Sequence, residues 1–232
     1  MKKGTLYGVG VGPGDPELVT QKAVNTLKKA DVIAVPVKGG GEKTALNIVK
    51  DIVAGKHLIY CQTPMVRDKA RLNEAYDRIA SEVCAQLDAG HDVAFITLGD
   101  PTVYSTYIYV HKRVLARGYT AQLVPGVTSF CAAAARLNMS LCEGAQRLMV
   151  VPASHEGIED CLDTDANLVF MKAGREIGAL KEKLDQRGLL ERAAMVENCG
   201  MENERIFKQF SNLEGDSGYF SVVLVKSREG EA

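Results

Sequence analysis

Two kinds of hydrophobic pattern take turns along this chain. Short apolar runs bounded by glycine, proline or charge alternate with longer stretches whose apolar residues recur every three to four positions. The first kind predicts strands over 5–12, 31–37, 58–61, 92–98 and 120–124. The second predicts helices over 16–29 (Val19, Ala23 and Leu27 on one face), 42–54, 68–89 and 102–117. Gly55, Gly90 and Gly118 supply the stops. Regular alternation at these lengths predicts a mostly parallel sheet covered on both faces.

After Val124 the pattern changes. The segment from Val124 to Phe130 (Val-Pro-Gly-Val-Thr-Ser-Phe) reads as hinge-like and leads into the alanine-rich stretch 129–136, a closely packing helix. Strands are predicted at 148–152, 167–171 and 193–197, with helices at 156–162 and 176–187 between them. The end differs, because 205–210 and 219–226 both read as strands joined by the turn-rich segment 212–218. That arrangement predicts an antiparallel hairpin closing a mixed sheet. The fold class is therefore α/β, with two α/β domains at 1–124 and 125–232. The first is built on a mostly parallel sheet and the second on a mixed one, and a ligand cleft is expected between them.

Composition narrows the function. The 232 residues are 46% hydrophobic and 25% charged, with a formal net charge of −1. No global field invites nucleic acid, so any anionic ligand must be met by local clusters of lysine and arginine. No apolar run approaches the ~20 residues that a membrane helix needs, and Met1-Lys2-Lys3 leads into a glycine-broken strand instead of a signal-peptide core. A cytoplasmic protein is the expectation. Six cysteines are scattered without a CxxC pair and read as free thiols, Cys84 and Cys131 as small buried hydrophobes. The four histidines are equally dispersed, and no protein-bound metal is expected.

Two segments share one device. Gly14-Asp15-Pro16 closes the first strand and Gly99-Asp100-Pro101 the fourth, each with an aspartate suited to capping and a proline suited to a first helical position. The glycine run 8–14 superficially suggests a dinucleotide fingerprint. Its third glycine position, however, is filled by Asp15 or Pro13, and an aspartate there repels a pyrophosphate and occupies the same amides. The acid expected at the end of the second strand is also missing, because Val35-Pro36-Val37-Lys38 stands there. No GK[ST] closes the turn as a P-loop would. What remains is a pair of strand-end turns that can lie side by side, suited to a neutral or cationic ligand.

The order and spacing of four segments resemble the tetrapyrrole methylase family over essentially the whole chain. They are Tyr7–Thr20, Ala30–Ala34, Leu98–Thr106 and Val124–Phe130. Within it, Pro36–Gly39, Met65–Asp68 and Thr97–Tyr107 are most similar to the branch that methylates C20 of precorrin-2 in cobalamin synthesis. The uroporphyrinogen branch carries an aspartate at the end of the second strand, and its absence here agrees with the C20 branch. The resemblance implies S-adenosylmethionine (SAM) as methyl donor and a tetrapyrrole, precorrin-2 or its cobalt complex, as acceptor. It also implies a homodimer. For the cofactor it implies Pro13, Leu98, Gly99, Asp100, Val103, Thr128, Ser129 and Met171, with Cys199 or Gly200 at the last position. Another tetrapyrrole methylation step and a non-catalytic α/β binding protein are the alternatives.

A sulfonium methyl is already activated, so such an enzyme works mainly by placement and by excluding water. Loss of the C20 proton asks for a base near that carbon. Asp100 is the first candidate as base or polariser, and it is equally suited to capping the next helix or bonding the cofactor. Tyr104 and Tyr107 are candidates for orienting the macrocycle, with plain core packing as the other reading. The substrate's carboxylates call for cations at the site's mouth, for which Lys38, Arg67 and Arg175 are candidates.

Overall fold

The computed structural model describes residues 2–38, 43–66, 68–154 and 156–227, with the main chain alone at Lys38. The chain divides between Thr128 and Ser129. In the first unit, β1 (Thr5–Gly10), β2 (Val32–Lys38), β3 (His57–Thr63), β4 (Val93–Thr97) and β5 (Thr120–Val124) form one sheet. Its order is β3-β2-β4-β1-β5, and every pairing is parallel. α1 (Gln21–Lys29) and α2 (Thr44–Val49) cover one face, and α3 (Lys69–Asp88) and α4 (Tyr107–Ala116) the other. Alternation along the strands divides the core accordingly. Leu6 and Phe95 pack with Ile79, Val83 and Val110, while Val9, Ile33 and Ile96 pack with Leu27, Ile48 and Val49.

Two helices begin later than the hydrophobic pattern suggests. The predicted helix 16–29 is a short 3-10 turn, Pro16–Leu18, followed by an extended Val19 and then α1. Thr20 causes the restart, because its extended backbone and its Oγ1, which accepts from Ala23 N at 3.1 Å, make a true N-cap. The predicted helix 102–117 begins only at Tyr107. Tyr104 sits in the left-handed region at φ 47°, which an α-helix does not admit. Asp100 therefore caps the turn that precedes α4, not the helix itself.

The second unit holds α5 (Ser129–Leu137), β6 (Leu148–Pro152), α6 (Ile158–Leu162), β7 (Asn167–Met171), α7 (Ile177–Gln186), β8 (Ala193–Glu197), β9 (Arg205–Phe207) and β10 (Ser221–Val225). Its sheet is mixed in the order β6-β7-β10-β8-β9, with only β6 and β7 parallel. The expected hairpin between the last two strands does not form. β10 is apolar on both faces and wholly buried, so it inserts between β7 and β8. The more exposed β9 stays at the edge, against β8. Cys131, expected in a core, is exposed on α5, whereas Cys61, Cys84 and Cys199 are buried.

Glu197 ends the apolar strand β8 and is itself buried. Its carboxylate accepts from Arg205 Nε at 2.5 Å and from the backbone N–H of Gly218, joining β9 to the segment that leads into β10. Burial alone would raise its pKa, but the Arg205 bond, the Gly218 N–H and the Arg205 charge outweigh it and hold the carboxyl below its ordinary value of 4.5.

Two predictions follow from this packing. A Cβ at Gly8 would lie 2.0 Å from Cε1 of Tyr107, a fully buried ring with no room to retreat. Gly8→Ala is expected to destabilise the fold by ~1–3 kcal/mol in denaturant unfolding, as overpacked cores do. Gly178→Ala meets nothing within 4 Å and is expected to leave the midpoint level or raise it slightly. Because the folded-state pKa of Glu197 is depressed, its stabilisation is present above about 4.5 and is lost as the pH falls through the lower folded value. Urea unfolding across a pH series should show the difference between wild type and Glu197→Gln shrinking below that point. A difference that stays constant would refute the assignment.

Candidate active site

The C-terminal ends of β4, β1 and β5 lie side by side, and their turns are built from glycine. Gly12 and Gly99, both with positive φ, exchange hydrogen bonds: Gly99 N donates to Gly12 O at 2.7 Å, and Gly12 N to Gly99 O at 3.3 Å. The two glycine-aspartate-proline turns are thus direct neighbours. A third turn, after β5, closes on them. A Cβ at Gly126 would lie 2.2 Å from Gly99 O and 2.7 Å from Gly10 C, so only glycine lets these backbones meet.

Asp100 holds that meeting point. It is 7% exposed. One carboxylate oxygen accepts from Gly126 N at 2.9 Å. The other accepts from Thr102 N at 2.7 Å and from the Thr102 hydroxyl. Both oxygens are therefore occupied, one across the sheet edge and one within the local turn. Thr20 secures the same segment from α1, its hydroxyl donating to Pro125 O at 3.3 Å. Residues 125–126, which read as a hinge in the sequence, are instead fastened to the first unit. Asp15 acts locally, accepting from Glu17 N at 2.8 Å and capping Pro16–Leu18.

The sequence candidates separate clearly around this point. Pro13 is buried directly after Gly12, and Leu98 and Val103 flank Gly99 and Asp100. Thr128 follows the β5 turn, and its Oγ1 is buried with no hydrogen-bond partner among the described residues. Tyr104 is 44% exposed on the turn before α4. Tyr107 is a correction. It is 1% exposed, its ring packs on Phe95 with centroids 5.1 Å apart, and its hydroxyl lies 2.9 Å from Nδ1 of the buried His111. Burial pushes its pKa upward and that of His111 downward. It belongs to the core and does not face a substrate.

In the second unit Ser129 opens α5 and Met171 ends β7. Gly200 lies in the turn between β8 and β9 at φ 75°. β10 separates β7 from β8, so the strand that Met171 ends and the strand that leads into the Gly200 turn do not pair with each other. Arg175 is exposed on a short 3-10 turn, Gly174–Glu176. Arg67 and the side chain of Lys38 lie outside the described residues.

The hydrophobic pattern missed several residues. Thr97 and Ser105 pair their hydroxyls at 2.7 Å, closing the segment between β4 and α4. Glu204 accepts from Gly200 N at 2.7 Å. Glu197 carried a signal, an acid ending an otherwise apolar run; Glu204, inside the polar stretch 202–205, carried none. Among the described residues, no group of three or more histidine, cysteine or acidic side chains is placed to hold a metal ion.

Known proteins agree with this architecture. The chain is 36% identical over 229 residues to a probable cobalt-precorrin-2 C(20)-methyltransferase of Methanocaldococcus jannaschii, with 95% of each chain covered. It is 34% identical over 231 residues to the cobalt-precorrin-2 C(20)-methyltransferase of Salmonella typhimurium, with 97% of each covered. The crystal structure of a uroporphyrin-III C-methyltransferase from Thermus thermophilus, complexed with S-adenyl homocysteine, superposes with a TM-score of 0.68. That match has 21% identity and covers 96% of this chain and 97% of the other. The model of the tetrapyrrole (corrin/porphyrin) methylases matches residues 5–212. With the whole first sheet, all three glycine turns and every strand of the second sheet but β10 inside that span, the chain belongs to the tetrapyrrole methylases.

Proposed function

We propose that this protein transfers a methyl group from SAM to C20 of precorrin-2 or its cobalt complex, a step of cobalamin biosynthesis. The observation that carries the reading is the similarity, over 95% and 97% of each chain, to a probable and a named cobalt-precorrin-2 C(20)-methyltransferase. We further propose that it works as a homodimer, as the family resemblance implies, and in the cytoplasm, as its scattered free cysteines suggest. No helix among the described residues is long and apolar enough to cross a membrane.

The chain's own groups fit a compact, zwitterionic cofactor. At the strand ends, glycines let three backbones close together with no side chain between them, and the Thr128 hydroxyl is buried without a partner among the described residues. Such an orphan costs free energy until a ligand satisfies it. We assign cofactor binding to Pro13, Leu98, Gly99, Asp100, Val103 and Thr128 in the first unit and to Ser129, Met171 and Gly200 in the second. When bound, SAM supplies a methyl group activated by a positively charged sulfur.

The engagement of both Asp100 oxygens supports a positioning role. Asp100 already accepts three hydrogen bonds, from Gly126 N, Thr102 N and the Thr102 hydroxyl, so most of its roughly four lone-pair sites are taken up by the turns themselves. We therefore assign it to fixing the three turns around the cofactor, and assign Tyr104 to orienting the macrocycle. Arg175, with Lys38 and Arg67, is assigned to the substrate's carboxylates, where a guanidinium offers two parallel donors.

Two experiments test the reading. In an anaerobic assay with SAM and precorrin-2, with and without cobalt, mass spectrometry should show a gain of one methyl; no gain on either substrate would sink the proposal. Asp100→Asn keeps the shape but places an amide N–H where an acceptor is needed. Hydrogen bonds to a charged group contribute roughly 1.5–3 kcal/mol, so SAM affinity should fall by roughly ten- to a hundredfold in calorimetry. Unchanged affinity with a collapsed kcat would reassign Asp100 as the base.

A further inference from the structure

Glu204, in the second unit, reaches two of the elements assigned above to the cofactor. Its Oε1 accepts from Arg136 Nε at 2.9 Å and from the Arg136 terminal nitrogen at 2.5 Å. Its Oε2 accepts from Gly200 N at 2.7 Å and also lies 3.2 Å from Arg136 Nε. The Cys199 thiol donates to it as well. The Glu204 side chain is 12% exposed, against 56% for Arg136, so the carboxylate is the enclosed member of the pair. The Arg136 bonds are the chief reason its pKa lies below the ordinary value.

The geometry of the turn explains why such an acceptor stands there. Asn198 and Gly200 are both in the left-handed region, at φ 51° and 75°. This conformation turns the chain sharply after β8, so its amides must find acceptors outside the sheet's ladder. Asn198 N is bound by Phe220 O, Met201 N by Asn198 O and Glu204 N by Met201 O. Gly200 N is the amide of this turn that relies on a side chain, and that side chain is Glu204. Arg136 stands in the last turn of α5, the helix that begins at Ser129. One bidentate ion pair therefore locks the helix that starts with Ser129 to the turn that carries Gly200.

We propose that Glu204, held by Arg136, is a positioning residue for the methyl donor: it fixes the Gly200 turn relative to α5 so that both present one binding surface. The proposal rests on the assignment of Ser129 and Gly200 to SAM. Glu204 itself touches neither reactant. Its effect is on how tightly the donor is held, and the chemical step is left alone.

The test compares SAM affinity, steady-state kinetics and thermal unfolding for wild type, Glu204→Gln and Arg136→Lys. Glu204→Gln retains one acceptor oxygen and loses the charge, while Arg136→Lys retains the charge and loses the two-pronged geometry. Both are expected to raise the dissociation constant and the KM for SAM, about tenfold for Glu204→Gln and less for Arg136→Lys. The kcat and the KM for the tetrapyrrole should stay within about twofold. A lowered melting temperature with unchanged SAM affinity in both variants marks a purely structural pair and overturns the proposal. An equal loss of kcat at unchanged affinity overturns it too. If Glu204→Gln does not fold, Arg136→Lys decides alone by the same criteria. If wild type takes up no SAM, the assignment of the cofactor falls and this inference with it, an outcome distinct from wild type binding while the variants bind equally well.

Discussion

The hydrogen bond from Gly126 N to Asp100 is the constraint on which the cluster of strand-end turns in the first unit depends. Parallel strands end in loops that have no reason of their own to stay together, because the sheet's ladder stops where they begin. Here β1, β4 and β5 end beside one another, and three glycines allow their backbones to close to contact. Close approach alone leaves the Gly126 N–H in need of an acceptor. Asp100 supplies the acceptor, and because its other oxygen is tied to Thr102, the carboxylate cannot swing away. The acid is enclosed by donors, so its charge is satisfied by backbone dipoles without a cationic side chain.

The second unit solves a related problem with longer acids and arginine. Glu197 joins the β9 edge to the segment before β10, and Glu204 joins α5 to the turn after β8. In each case a carboxylate receives both a backbone amide and a guanidinium. Removing either partner leaves the other facing a half-satisfied group, which is the costly direction for a buried pair. The two units thus share a principle: loops beyond the strand ends are fixed by single enclosed acids instead of by extended apolar packing.

Much of this was legible in the sequence, and for identifiable reasons. The apolar runs with period two and the stretches with period near four fixed the strand and helix order, because core burial writes directly into that pattern. Both glycine-aspartate-proline turns were visible, since tight turns and caps draw on few residue types. The failures also have physical causes. The late start of α4 depends on Tyr104 adopting a left-handed backbone, which nothing about a tyrosine announces. Tyr107 read as a candidate for orienting the macrocycle, with core packing as the other reading; what selects the core is a contact with Gly8, a residue far away in sequence. Glu204 was invisible because an acid in a polar stretch looks the same whether it faces water or an amide.

The position of β10 has a consequence for how the second sheet assembles. β7 and β8 are neighbours in the chain's order of strands but are joined in space only through a strand that comes later than both. Until residues 221–225 have left the ribosome, the two halves of that sheet have no common partner, and their inner edges stand open. Apolar strand edges of this kind are sites where unfinished chains associate wrongly. A central strand delivered last makes the sheet a late and all-or-none event in synthesis, so the turn that bears Gly200 takes its shape only when Val222, Val223 and Leu224 are in place.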